Sequence, residues 1–134
     1  MFIQEPLKAA MQVNLPDIVN EVEQAFADYE TALRDHDIAT LDRWFWYAPH
    51  TVRYGVAEIL LGGEAIRKYR QACPPVHPSR RLQRTVVTTF GRDYATVSTE
   101  FTADDSDKIG RQMQTWVRME AGWRIVAAHV SLMP

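Results

Sequence analysis

The sequence predicts an α+β fold in which three N-terminal helices pack on a strongly curved antiparallel sheet and enclose a pocket. Three observations carry this expectation. Helical periodicity dominates the chain up to Pro74-Pro75, and strand-length runs separated by turn residues dominate it afterwards, a segregation typical of α+β domains. A short strand-like run interrupts the helical part between the second and third helices. The last run, Gly122 to Ser131, is apolar on both faces beyond Arg124 except for His129 and Ser131, so both faces of the sheet need cover.

The elements follow in order. Residues 1–14 show no sustained periodicity and are expected to form a loose lead-in or a short extra helix, leaving 15–134 as one domain. Leu15-Pro16-Asp17 opens the first helix, with proline suited to the first turn and an acid after it. Ile18, Val22, Ala25, Phe26, Tyr29, Ala32 and Leu33 then fall on one stripe at helical spacing. Asp37 reads as the N-cap of a shorter helix carrying Leu41, Trp44 and Phe45, which Pro49-His50 ends. Thr51 to Tyr54 reads as a short strand stopped by Gly55. Gly62-Gly63 leads into a third helix through Arg70. Strands are then expected at about Leu82–Phe90, Tyr94–Thr102 and Arg111–Met119, the last joined to the final strand by a Glu120-Ala121-Gly122 hairpin turn.

Composition excludes several functions. The chain has 134 residues, a formal net charge of −2 and no basic stripe interleaved with aromatics, so nucleic acid is not an expected partner. The longest apolar run, Trp44 to Pro49, is too short to cross a bilayer, and the N-terminus lacks the basic and apolar regions of an export signal. Cys73 is the only cysteine, which forbids an internal disulfide and suits a reducing cytoplasm. The four histidines lack ligand spacing, so a bound metal is not expected. Arg80-Arg81 with Arg84 reads as a solvated basic face.

The runs Thr51-Val-Arg-Tyr-Gly55, Gly62-Gly-Glu-Ala-Ile66 and Gly122-Trp-Arg-Ile-Val-Ala-Ala-His-Val-Ser131 resemble the nuclear transport factor 2-like (cystatin-like) superfamily, which includes ketosteroid isomerase, scytalone dehydratase and the polyketide cyclases. The resemblance covers roughly residues 15–132. Within it, Val52 to Glu58, Thr88 to Asp93 and Gly110 to Trp116 are similar to the AtzH-like branch, which accompanies amidase genes in bacterial clusters for nitrogen-rich compounds, including cyanuric acid. That branch implies a cofactor-free activity on 1,3-dicarboxyurea, a small anionic urea that loses an N-carboxy group to give allophanate.

Tyr29 and Arg53 are the candidate catalytic residues. Tyr29 lies midway along the first helix, which in the fold implied by the resemblance covers the open side of the cone; its hydroxyl would point into the pocket, or bond a carbonyl within the core. Arg53 stands at or next to the position where the isomerase carries its catalytic carboxylate. An arginine there fits a bound carboxylate, through a planar fork that makes two parallel hydrogen bonds. It could instead pair with Glu58 or project to solvent, and alternation leaves open whether Arg53 or Tyr54 faces inward. Trp44, Tyr54, Gln114, Trp116, His129 and Ser131 are the candidate substrate-binding residues. His129 and Ser131 are placed on the face of Trp123, and Gln114 with Trp116 on a face of the neighbouring strand. Cys73 has no partner that would make it a nucleophile.

Two roles are weighed against decarboxylation. The chain could bind a small anion without transforming it, or support a partner amidase. An isomerase or dehydratase of the wider superfamily is disfavoured by the missing carboxylate at Arg53-Tyr54. Reading Val126, Ala128, Val130 and Leu132 as the apolar outer face of the last strand, a sheet-to-sheet homodimer or a higher oligomer is expected.

Overall fold

The computed structural model describes residues 4–8 and 11–134. Helix α1 spans Pro16–Arg34, α2 Ile38–Trp44 and α3 Gly63–Ala72. Strands β1 (Val52–Tyr54) and β2 (Ile59–Leu61) lie between α2 and α3, and β3 (Arg81–Phe90), β4 (Tyr94–Ala103), β5 (Ser106–Met119) and β6 (Gly122–Leu132) follow. The six strands form one sheet in the order β2-β1-β6-β5-β4-β3. The sheet is mixed, because β1 runs parallel to β6 while every other pair is antiparallel. No helix among the described residues is long and apolar enough to cross a membrane.

The helices form for the expected local reasons. Pro16 sits at the start of α1, and the Asp37 carboxylate accepts from Thr40 N at 3.2 Å to cap α2. Gly62 enters α3 at φ +95°, a conformation open to glycine, and its N–H donates to Thr51 O at 2.7 Å. The apolar stripe of α1 is buried against the sheet as read, and one acid, Glu30, is buried with it. Gln12, Val13 and Asn14 are tied to the end of β3: Asn14 exchanges backbone and side-chain bonds with Thr89, and Gly91 N donates to Gln12 O.

Besides the parallel β1–β6 pairing in a sheet expected to be antiparallel, three features depart from the sequence reading. Strand β2 is new; three residues, Ile59 to Leu61, carry too little pattern to register. Strand β5 begins at Ser106, inside what read as an acidic loop.

The third departure reorganises β6. Thr115 pairs with Ala127 but Trp116 pairs with Ile125, leaving Val126 as an extra, bulged residue. A bulge shifts the side-chain phase by one residue. Trp123 and Ile125 face the helices in the first half of β6, and Ala128 and Val130 do so in the second. His129 and Ser131 are therefore on the outer face, not on the face of Trp123. Ala128, Val130 and Leu132 likewise do not belong to the outer apolar face from which a homodimer was expected. The large exposed side chains of that outer face are Tyr54, Ile59, Leu61, Val86, Tyr94 and Met113.

Candidate functional site

Between α1, α3 and the inner face of the sheet lies a cavity of about 300 Å³. Tyr29, Arg53, Glu58, Tyr69, Arg70 and Arg80 contribute its polar surface, and Leu33, Leu41, Val76 and Val130 supply apolar wall. Its volume is at the lower end of ligand pockets, so it suits a small molecule.

Tyr29 reaches the cavity from the middle of α1 and is 3% exposed. Its ring is held by three aromatic neighbours, Phe26, Phe45 and Trp116, with centroids 6.4, 6.3 and 6.5 Å away. Such packing fixes the direction of the hydroxyl. Trp116 is fully buried behind it, packs edge-on against Trp44 at 5.6 Å, and donates from Nε1 to Gln114 Oε1 at 3.1 Å. Trp44, Gln114 and Trp116 thus form the support beneath Tyr29; they do not line the cavity.

In β1, Arg53 faces inward and Tyr54 outward, which settles the alternation. The Arg53 Nη1 donates to Glu58 Oε1 at 3.2 Å, and its guanidinium lies 5.0 Å from the Tyr69 ring. Burial raises the pKa of the Tyr69 hydroxyl, with the Arg53 charge pulling it partly back. Tyr69 therefore stays a neutral hydrogen-bonding group.

Two further arginines line the cavity. Arg80 is buried, so the basic run Arg80-Arg81 is not a solvated face throughout; Arg81 and Arg84 are the exposed members. Arg80 grips Glu30 with Nε and Nη2 at 3.2 and 3.1 Å, shares Gln112 with it, and lies 4.3 Å from the Phe101 ring. Arg70 sits one turn after Ile66 on the inward face of α3 and is 5% exposed. Its Nη2 has no hydrogen-bond partner. Cys73 also reaches the cavity, and its thiol donates to Arg70 O at 3.4 Å.

The remaining candidates lie elsewhere. Tyr54 and His129 meet edge to face on the outer side of the sheet, with centroids 5.7 Å apart. Ser131 Oγ accepts from Arg111 Nε at 3.2 Å on that same exposed side. The β6 bulge and the outward turn of Tyr54 remove all three from the cavity. Sequence reasoning missed Glu30, Tyr69, Arg70, Arg80 and Gln112. For Arg70 a signal was present, since Ile66 and Arg70 stand four residues apart on one helix face.

Three helices on a curved mixed sheet, with a small polar cavity between them, define a nuclear transport factor 2-like protein. The chain belongs to the AtzH-like family, whose model matches residues 11–134. It is similar to a cystatin-like fold protein from Burkholderia xenovorans LB400, with 61% identity, a TM-score of 0.90, and coverage of 92% of this chain and 99% of that one. A protein of unknown function from Pectobacterium atrosepticum SCRI1043 shares 54% identity at a TM-score of 0.90, over 96% of this chain and 98% of that one. A nuclear transport factor 2-like protein from Salmonella enterica shares the fold alone, at 20% identity and a TM-score of 0.69, over 88% of this chain and 92% of that one. No curated protein sequence matches it significantly.

Proposed function

We propose that the protein is a cofactor-free enzyme that removes one N-carboxy group from 1,3-dicarboxyurea, giving allophanate and carbon dioxide. The observation that supports this reading best is the meeting of Tyr29 and Arg53 on one small cavity with a surplus of buried guanidinium. A carboxylate entering such a site gains charge-assisted hydrogen bonds that water would otherwise supply.

In the reaction, the bond between the carboxy carbon and nitrogen breaks and its electron pair stays on nitrogen. Arg53 holds a substrate carboxylate, and the fixed Tyr29 hydroxyl delivers a proton or a hydrogen bond to the leaving nitrogen or the urea oxygen. The proton consumed is replaced from water, so one dianion and one proton give the allophanate monoanion and carbon dioxide. Apolar wall from Leu33, Leu41 and Val130 suits departure of a neutral gas.

The test is a coupled assay in which freshly generated 1,3-dicarboxyurea meets the purified protein and allophanate formation is compared with the spontaneous rate. Acceleration is expected, and Tyr29→Phe and Arg53→Ala should each lose about 100-fold or more, the usual scale for a positioned proton donor or anion clamp. Folded variants that both keep full turnover would overturn the assignment. No acceleration by the wild type would favour an anion-binding protein or a support for a partner amidase, which co-purification would then reveal.

A further inference from the structure

The three buried arginines of the cavity are satisfied very differently. Arg80 and Glu30 are each 7% exposed at the side chain, make two bonds to one another and share Gln112. Every charge there is met from within the fold. Arg53 has one bond to Glu58, whose side chain is 24% exposed on the turn between β1 and β2. Arg70 has no ion pair among the described residues, and its Nη2 is buried without an acceptor.

An arginine cannot shed its proton to relieve such burial. The Arg70 guanidinium lies 6.0 Å from the Phe45 ring, which offers no acceptor. The field of Asp42 reaches Arg70 and Arg67, but no ion pair forms. Of the cavity's three buried guanidiniums, those of Arg53 and Arg80 are each paired with a carboxylate, and the one without an ion pair among the described residues is that of Arg70. An unmet buried charge destabilises a fold, so its retention at a cavity wall marks a place kept for a ligand.

We infer that Arg70 is the anion anchor of the cavity, its unpaired guanidinium receiving a ligand carboxylate, and that Glu58 occupies on Arg53 the place of a second ligand carboxylate. The ligand class is a compact dicarboxylate. Its first carboxylate neutralises Arg70 directly. Its second displaces Glu58, which is bonded to Arg53, lies beside Tyr69 and is partly exposed, so it can move toward solvent. The Arg80–Glu30 pair stays closed throughout. This inference rests on the cavity being the substrate site proposed above, and it adds the residue that recognises the second charge.

Binding rather than turnover tests it. Glutarate, which has the chain length of the proposed substrate and cannot lose an N-carboxy group, is titrated calorimetrically into the wild type, Arg70→Gln and Glu58→Gln. Butyrate, lacking one carboxylate, is the comparison. Glutarate should bind about tenfold or more tightly than butyrate, and Arg70→Gln should remove about tenfold or more of the glutarate affinity, as expected for loss of a charge-assisted bond. Glu58→Gln should tighten glutarate binding by removing its internal competitor.

The melting temperature separates anchoring from structural support. Arg70→Gln should melt at or above the wild type, because it removes an unmet buried charge. Arg70→Met, apolar and of similar length, carries the same test should the glutamine variant fail to fold. Glutarate that fails to bind the wild type, binds no better than butyrate, or binds both Arg70 variants as tightly as the wild type overturns the anchor. Turnover of 1,3-dicarboxyurea alongside unchanged glutarate binding by Arg70→Gln would sink the anchor and leave the proposed function standing. Glutarate held through Arg70 by a protein without turnover would support the anchor and reject the function.

Discussion

Arg53 Nη1 and Glu58 Oε1 stand 3.2 Å apart on the cavity wall, and Gly55 makes room for the pair. A Cβ on Gly55 would overlap the Glu58 carboxylate and come within 2.9 Å of Arg53 Nη1. The short strand β1 thus presents an arginine inward, and the residue two places on leaves space for its carboxylate partner.

The first prediction separates the two members of that pair. Glu58→Gln should lower KM for a carboxylated substrate, because Arg53 no longer has to exchange an internal carboxylate for an external one. Gly55→Ala should instead lower kcat/KM by about tenfold, since the added methyl displaces the guanidinium as well as the carboxylate, and small misplacements of a positioning group are costly. Steady-state kinetics on both variants, with melting curves to show that each is folded, decides it. Equal effects of the two changes would mean that the pair acts only as structure.

A second prediction concerns the other buried pair. Glu30→Gln should destabilise the protein by about 3 kcal/mol, because it strips the partner from the buried Arg80 guanidinium. Urea unfolding measures the change. A loss below about 1 kcal/mol would be the signature of an exposed pair and would contradict the burial of Arg80 and Glu30.

The sequence made the architecture readable because each of the three helices has a local signal. Pro16 starts α1, Asp37 caps α2 and Gly62 opens α3, while apolar spacing identifies the face of α1 that meets the sheet. The site was less readable, for three physical reasons. Val126-Ala127-Ala128 is apolar whichever way the strand is phased, so nothing in the residues marks the bulge that sends His129 and Ser131 to the outer face. Arg80 looks like Arg81 in sequence, and only the approach of Glu30, fifty positions away on α1, makes it a buried residue. Arg70 ends a polar run of helix, and its inward direction becomes meaningful only when the cavity beside it is known. Tyr29 and Arg53 were singled out with help from the family resemblance, and both line the cavity, although strand alternation left open whether Arg53 or Tyr54 faces inward.

A third prediction follows from the cluster that ties α1 to the far end of the sheet. Glu21 is bonded by Arg118 and accepts from Trp123 Nε1 at 3.0 Å. The Arg118 bond, then the Trp123 bond, hold its carboxyl below the ordinary value of 4.5. A carboxyl with a lowered folded pKa adds stability that is present above its unfolded value and disappears as pH falls through its folded value. Glu21→Gln should therefore melt below the wild type at pH 7, by about 2–4 °C for a half-exposed cluster, with the gap closing in acid below pH 4.5. A gap independent of pH would show that packing of the side chain, not its charge, is what α1 needs.

The last prediction concerns which form of the carbon leaves first. Hydrolytic removal of the N-carboxy group would need a base to activate water and would release bicarbonate. The carboxylates closest to the chemistry are Glu58, tied to Arg53, and Glu30, sealed against Arg80. Tyr69 remains neutral because burial raises its pKa. Proton delivery by Tyr29 to the nitrogen requires no such base and releases carbon dioxide directly. Membrane-inlet mass spectrometry on a timescale faster than spontaneous hydration should therefore detect carbon dioxide as the first product, ahead of its equilibrium with bicarbonate. Bicarbonate appearing first would transfer the leading role to an activated water. Glu58→Gln would then have to abolish turnover rather than lower KM, and the two measurements together would identify Glu58 as that base.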